Sequence, residues 1–237
     1  MGYYGYGYYM DPTYILVFIG AIICLLAQGL VTSTFNRYSK VRSRTNLTGR
    51  ETAERILRYA GITDVTIEHV RGSLTDHYNP STKVVNLSDS VYNSTSVAAV
   101  SVAAHECGHV IQHHKGYIPL NLRTALVPVA NIGSYAAWPL IIIGLFINGS
   151  TSTMLINLGI LVFSLSVLFQ IVTLPVEINA SRRADHILQE IGILDSEEAR
   201  YTKKVLGAAA LTYVASAAAA ILQLLRLVLL FGGRRND

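Results

Sequence analysis

Polar and apolar positions fall into long blocks along this chain of 237 residues. Four blocks are apolar over the length of a bilayer crossing, which takes about 20 residues of helix. They run from about Thr13 to Val31, Thr124 to Ile147, Thr153 to Val176 and Val205 to Phe231. With their flanks they predict helices over residues 13–36, 124–147, 153–176 and 205–231. Only the uncharged link Asn148-Gly149-Ser150-Thr151-Ser152 separates the second block from the third, so these two form a hairpin. The fourth block is Ala-rich, then Leu-rich, and carries Arg226 near its end, where a long stem can snorkel to the interface. It reads as a full crossing or as a membrane-embedded helix. The count is therefore three or four crossings.

The polar blocks have their own patterns. Thr48 followed three residues later by Glu51 is a capping box. It opens a short amphipathic helix that runs to Ala60 and stops at Gly61. Asp64–Val70 alternates like a strand, and Leu74–Tyr78 and Lys83–Leu87 give two more, joined by a turn at Asn79-Pro80-Ser81-Thr82. Ser94–Ser96 caps a further helix that ends at Gly116. Residues 37–123 thus predict a small α+β part. A second polar segment spans 177–204, with a Tyr/Gly-rich tail at 1–12 and a short tail at 232–237.

Composition agrees with the blocks. Hydrophobic residues make up 51% of the chain and charged residues 14%, against about 25% charged in a soluble domain. The net charge of +4 matters less than where it lies. Arg37, Lys40, Arg42, Arg44 and Arg50 follow the first apolar block, as topology determinants do. No aromatic platform or basic helix face accompanies them, so a nucleic-acid surface is not expected. No charge precedes the first block and no clean cleavage site follows it, so it reads as a crossing rather than a signal peptide. Two cysteines, Cys24 and Cys107, give no disulfide framework.

The chemistry centres on His105-Glu106-Cys107-Gly108-His109, an HExxH motif. Residues four apart share one helix face, so both imidazoles can grip one Zn2+ ion. Glu106 then stands where it can take a proton from the attacking water and pass it to the leaving amine. A catalytic zinc site wants a third protein ligand, and Glu177 is the choice. Two crossings separate His109 from Glu177, which returns both to one side. The basic stretch 37–58, Arg182, Arg183, Lys203 and Lys204 lie on that same side, while the 148–152 link has no charge. The positive-inside rule makes this face cytoplasmic. Further candidates for contacts around the metal or the substrate are Asp76, His77, His113, Asp185 and Tyr213, the last as an oxyanion donor or a plain packing residue.

These motifs resemble the YugP-type membrane zinc metallopeptidases of bacteria. The resemblance rests on Leu74–Pro80, Val102–Gln112, Leu174–Ala184 and Ala208–Ala215, and covers Leu16 to Asp237. More distantly, the arrangement is similar to HtpX and the CAAX prenyl proteases, where a glutamate after later membrane helices completes the zinc site. The resemblance implies that role for Glu177. Those relatives carry an aspartate four residues after the glutamate, bracing a ligand histidine. Ser181 occupies that place here, so either Ser181 or another group such as Asp185 does the bracing. The same relatives present a strand at the lip of the active site. It maps to Lys83–Leu87, where an extended substrate would add to a free edge alongside Val84 and Val85.

The expected molecule is a mainly α integral membrane protein with three or four transmembrane helices. A small zincin-like cytosolic domain holds a short β-sheet and the HExxH helix. It binds one Zn2+ per chain, sits in the bacterial cell membrane, and hydrolyses proteins or peptides in or beside the bilayer. Two other classes stay open. A catalytically silent zinc-binding scaffold of a membrane complex has no need for Glu106. A zinc transporter or sensor wants histidines or carboxylates deep in the apolar blocks, which hold only Asn131, Asn157 and Gln170.

Overall fold

The computed structural model describes residues 11–232, so the reading of the Tyr/Gly-rich segment 1–10 and of residues 233–237 lies outside the described residues. Within them the chain is mostly helical. Helix α1 covers Tyr14–Tyr38, α2 Gly49–Tyr59, α3 Val97–His114, α4 Ile118–Phe146, α5 Ser150–Glu190 and α6 Ser196–Phe231. Strands β1 (Thr66–Val70), β2 (His77–Asn79) and β3 (Val84–Ser88) form one sheet. Helices α1, α4, α5 and α6 are each long and apolar enough to cross a membrane.

The local signals act as their chemistry dictates. The Thr48 side chain accepts from the Glu51 backbone N–H while Glu51 reaches back to Thr48, closing the capping box of α2. Such a cap contributes about 1 kcal/mol. Ser96 caps α3 by accepting from Ala99 N–H. Asn79 Oδ1 accepts from Ser81 and Thr82 N–H and so builds the turn between β2 and β3.

Two compact units emerge. One comprises Leu26–Val127 and Phe169–Val214. Its core is α3, buried on nearly every face among Ile56 and Leu57 of α2, Val85 and Leu87 of β3, and Leu188 and Ile193. Ser101 of α3 donates to Thr202 of α6 at 2.9 Å. The described parts of the other unit are residues 11–25, 128–168 and 215–232. There α4 and α5 meet at small residues. A Cβ on Gly133 would stand 2.7 Å from Val162 O, and one on Gly159 3.0 Å from Ala137 O, so only glycine permits this approach. Large apolar side chains such as Phe18, Ile132, Phe146 and Leu161 face outward, as lipid-facing residues do.

The structure corrects several expectations. The helix expected over 153–176 is longer, and the polar segment after it is largely helical: α5 continues to Glu190, and α6 begins at Ser196. Hydropathy marks where the surroundings change, not where the helix stops, and the first breaker after Glu177 is Gly192, at φ +67°. The strand expected over 74–78 shrinks to His77–Asn79, because Leu74 adopts φ +58°. The strand carrying Val84 and Val85 has no free edge. The sheet order is β1-β3-β2, with β3 parallel to β1 on one side and antiparallel to β2 on the other. Val85 is fully buried. A peptide cannot add to a strand whose backbone is paired on both sides. Arg226 lies with its guanidinium 4.1 Å from the centre of the Tyr14 ring, a cation–π contact.

Candidate metal centre

One turn of α3 carries His105 and His109, and α5 supplies Glu177. Their ligand atoms lie within 4.8 Å of one another. The approach of the two helices is set by Gly108, where a Cβ would stand 2.6 Å from Ala180 O. With no side chain there, α5 comes close enough for Glu177 and Ser181, one turn apart, to reach the two histidines.

The imidazoles are held from behind. The Ser181 hydroxyl lies 3.1 Å from His105 Nδ1. For His109 the hydrogen-bond chain fixes the tautomer. Arg183 Nε, which can only donate, bonds Asn179 Oδ1 at 2.7 Å. Gln112 Nε2 donates to that same oxygen at 3.0 Å and to Val176 O at 2.8 Å. Gln112 Oε1 therefore faces His109 Nδ1, 3.1 Å away, and Nδ1–H is the donor. The Nε2 lone pair is left pointing forward.

What lies forward is Glu177 Oε2, 3.3 Å from His105 Nε2 and 3.4 Å from His109 Nε2. Glu177 is 2% exposed, and this oxygen has no aligned hydrogen-bond donor among the described residues. A buried carboxylate oxygen left so is costly unless a cation serves it. These two distances suit zinc: ligand bonds of about 2.0–2.1 Å in a tetrahedron put ligand atoms about 3.3–3.4 Å apart. The donor set, two imidazoles and one carboxylate, is also a zinc set with a position to spare. The field agrees. Burial opposes charge on His109, yet Glu177 and Glu106 outweigh it and hold the imidazole above its ordinary pKa. Surroundings that favour an imidazolium favour a metal cation too.

Glu106, 7% exposed, stands beside this group. A cavity of about 460 Å³ opens in front, walled by Asp76, His77, His113, Arg123 and Tyr213 as well as the ligand group and Glu106. Asp76 accepts from Ser88 N–H and Oγ–H at 2.7 and 2.8 Å. Its pKa is raised by burial, which those two bonds only partly offset, with the charge of Glu106 adding to the rise. His77 and His113 are not in the ligand group. His77 Nδ1 lies 2.9 Å from Thr75 O, and His113 Nδ1 lies 3.0 Å from the Tyr78 hydroxyl. Cys107 points away, fully buried, and burial pushes its thiol pKa up.

Asp185 stays outside the site. It pairs with Lys203 at 3.6 Å and with Gln189, so Ser181, not Asp185, meets His105. Three contributors were not expected. Gln112 is three residues past His109, a spacing that shares its face. Asn179 is read only through its partners. Arg123, at the start of an apolar block, brings its guanidinium 3.8 Å from Glu177 Oε1.

No solved structure matches the chain. It is 48% identical over 211 residues to a protein of Bacillus subtilis (strain 168) named "putative membrane protease YugP", covering 89% of this chain and 92% of the relative. The model of the family described as "putative neutral zinc metallopeptidase" matches residues 13–232, and the chain belongs to that family.

Proposed function

We propose that this chain is a membrane-embedded zinc endopeptidase acting on proteins or peptides in or next to the bilayer. The observation that carries the reading is the triangle of His105 Nε2, His109 Nε2 and the buried Glu177 Oε2, with Glu106 beside it. These three residues are the ligands of one Zn2+ ion. When bound, zinc supplies Lewis acidity, which acidifies water and polarises a carbonyl.

The chain's own groups do the rest. Glu106 takes the proton released as water oxygen bonds to the scissile carbonyl carbon. It returns that proton to the amide nitrogen as the C–N bond breaks. Ser181 and Gln112 keep the two imidazoles oriented, so their Nε2 atoms need no rearrangement. The Tyr213 hydroxyl, on the cavity wall, donates to the carbonyl oxygen as it gains charge. Arg123 offsets the negative charge of Glu177 and Glu106. Residues 37–123 and 177–204 form a zincin-like domain on the cytoplasmic face, to which the basic residues around 37–58 and 182–204 assign it.

Glu106→Gln is the test. It keeps the shape of the side chain and removes the base. Zinc content should stay at the wild-type level while peptide hydrolysis falls by at least about 100-fold, the general-base contribution. Hydrolysis undiminished by the change contradicts Glu106 as the base, while zinc binding without hydrolysis in wild type returns the silent-scaffold reading.

A further inference from the structure

A second cavity, of about 240 Å³, is also lined by Glu106. It shares Asp76, His105, Glu106 and Tyr213 with the first cavity, so the two open on the same chemistry. Its remaining wall is chiefly apolar: Val31 and Phe35 of α1, Leu74, Val102, and Leu206 and Ala209 of α6. We infer that this cavity is a side-chain subsite, and that the substrate carries a bulky apolar residue such as leucine or phenylalanine next to the scissile bond. The inference rests on the peptidase reading and adds a preference to it.

Size, charge and backbone all support this occupant. An apolar hole of about 150 Å³ takes up a benzene ring, so this one accommodates a leucine or phenylalanine side chain. An acidic side chain is disfavoured, because the only charged groups on the wall, besides an imidazole, are the carboxyl groups of Asp76 and Glu106. A basic side chain gains little, because Asp76 is already held by Ser88 N–H and Oγ–H and Glu106 is the base. Leu74 is the independent sign. It sits at φ +58°, a conformation that a bulky L residue adopts at a cost and that clusters at ligand sites. The residue is 40% exposed, so its own burial does not account for a leucine there. A wall for an incoming apolar group does.

The test uses the full chain in detergent, zinc-loaded and carrying Glu106→Gln so that peptides bind without being cut. Fluorescein-labelled decapeptides place Leu, Phe, Gly or Asp at each central position in turn, and binding is read by polarisation. At one position Leu and Phe should bind at least about tenfold tighter than Gly, the discrimination an apolar pocket gives. Two added changes should each collapse that ratio. Leu74→Gly removes the wall and relieves the backbone, so the fold is kept. Ala209→Phe fills the cavity. A ratio that persists in both variants overturns the subsite, while cleavage by the Glu106-intact chain leaves the peptidase reading standing. If no zinc-loaded form binds or cleaves any peptide, the peptidase reading falls and the subsite falls with it.

Discussion

His105 and His109 can meet one metal ion only if both rings present Nε2, and each ring is fixed by a different group. Ser181 stands at the back of His105, and a chain from Arg183 through Asn179 and Gln112 fixes His109. Gln112→Ala should therefore lower zinc affinity by roughly 10–100-fold, as loss of an orienting partner does. Competition with a chelator of known affinity measures this, and helix content by circular dichroism should be unchanged. The candidate ligands were legible in the sequence because helical spacing pairs the histidines and a two-crossing return brings Glu177 to their side. Ser181 was legible through the resemblance, which sets a bracing residue four positions after the glutamate. Gln112 was not, because an amide beside a metal motif carries no charge to mark it. Its part depends on the carbonyl of Val176, which only the fold brings near.

Helices and strands divide on the same lines. Capping residues and glycines marked both ends of α2 and α3, since those ends are local chemistry. The length of α5 was misread because its surroundings turn polar while its helical period runs on. The sheet order was hidden for a further reason. Alternation tells which face of a strand is buried, not which strand lies in the middle, and here a parallel partner from earlier in the chain takes the edge of β3. Gly108 carries the sharpest prediction at this scale. In Gly108→Ala the new methyl meets the α5 backbone at Ala180, and overpacking of this kind costs about 1–3 kcal/mol. Thermal unfolding should move down accordingly, and zinc should be bound more weakly as α5 is pushed off. An alanine variant with wild-type stability and zinc binding would mean that the contact is not what brings Glu177 to the histidines.

Across the whole molecule, among the described residues, four helices are long and apolar enough to cross a membrane, and His105, His109 and Glu177 form a group that could hold a metal ion. The proposed orientation puts the 148–152 link outside and the residues around Lys203 inside. With Cys24 replaced by serine, a cysteine at Thr151 should be labelled in intact cells by a membrane-impermeant maleimide, and one at Lys203 only after lysis. The reverse pattern would place the metal centre outside. The central claim is that His105, His109 and Glu177 jointly hold zinc, and elemental analysis of detergent-purified protein tests it most directly. Wild type should carry one zinc per chain, and Glu177→Ala, with its helix content intact, should lose most of it. Full zinc retention in Glu177→Ala would contradict the claim.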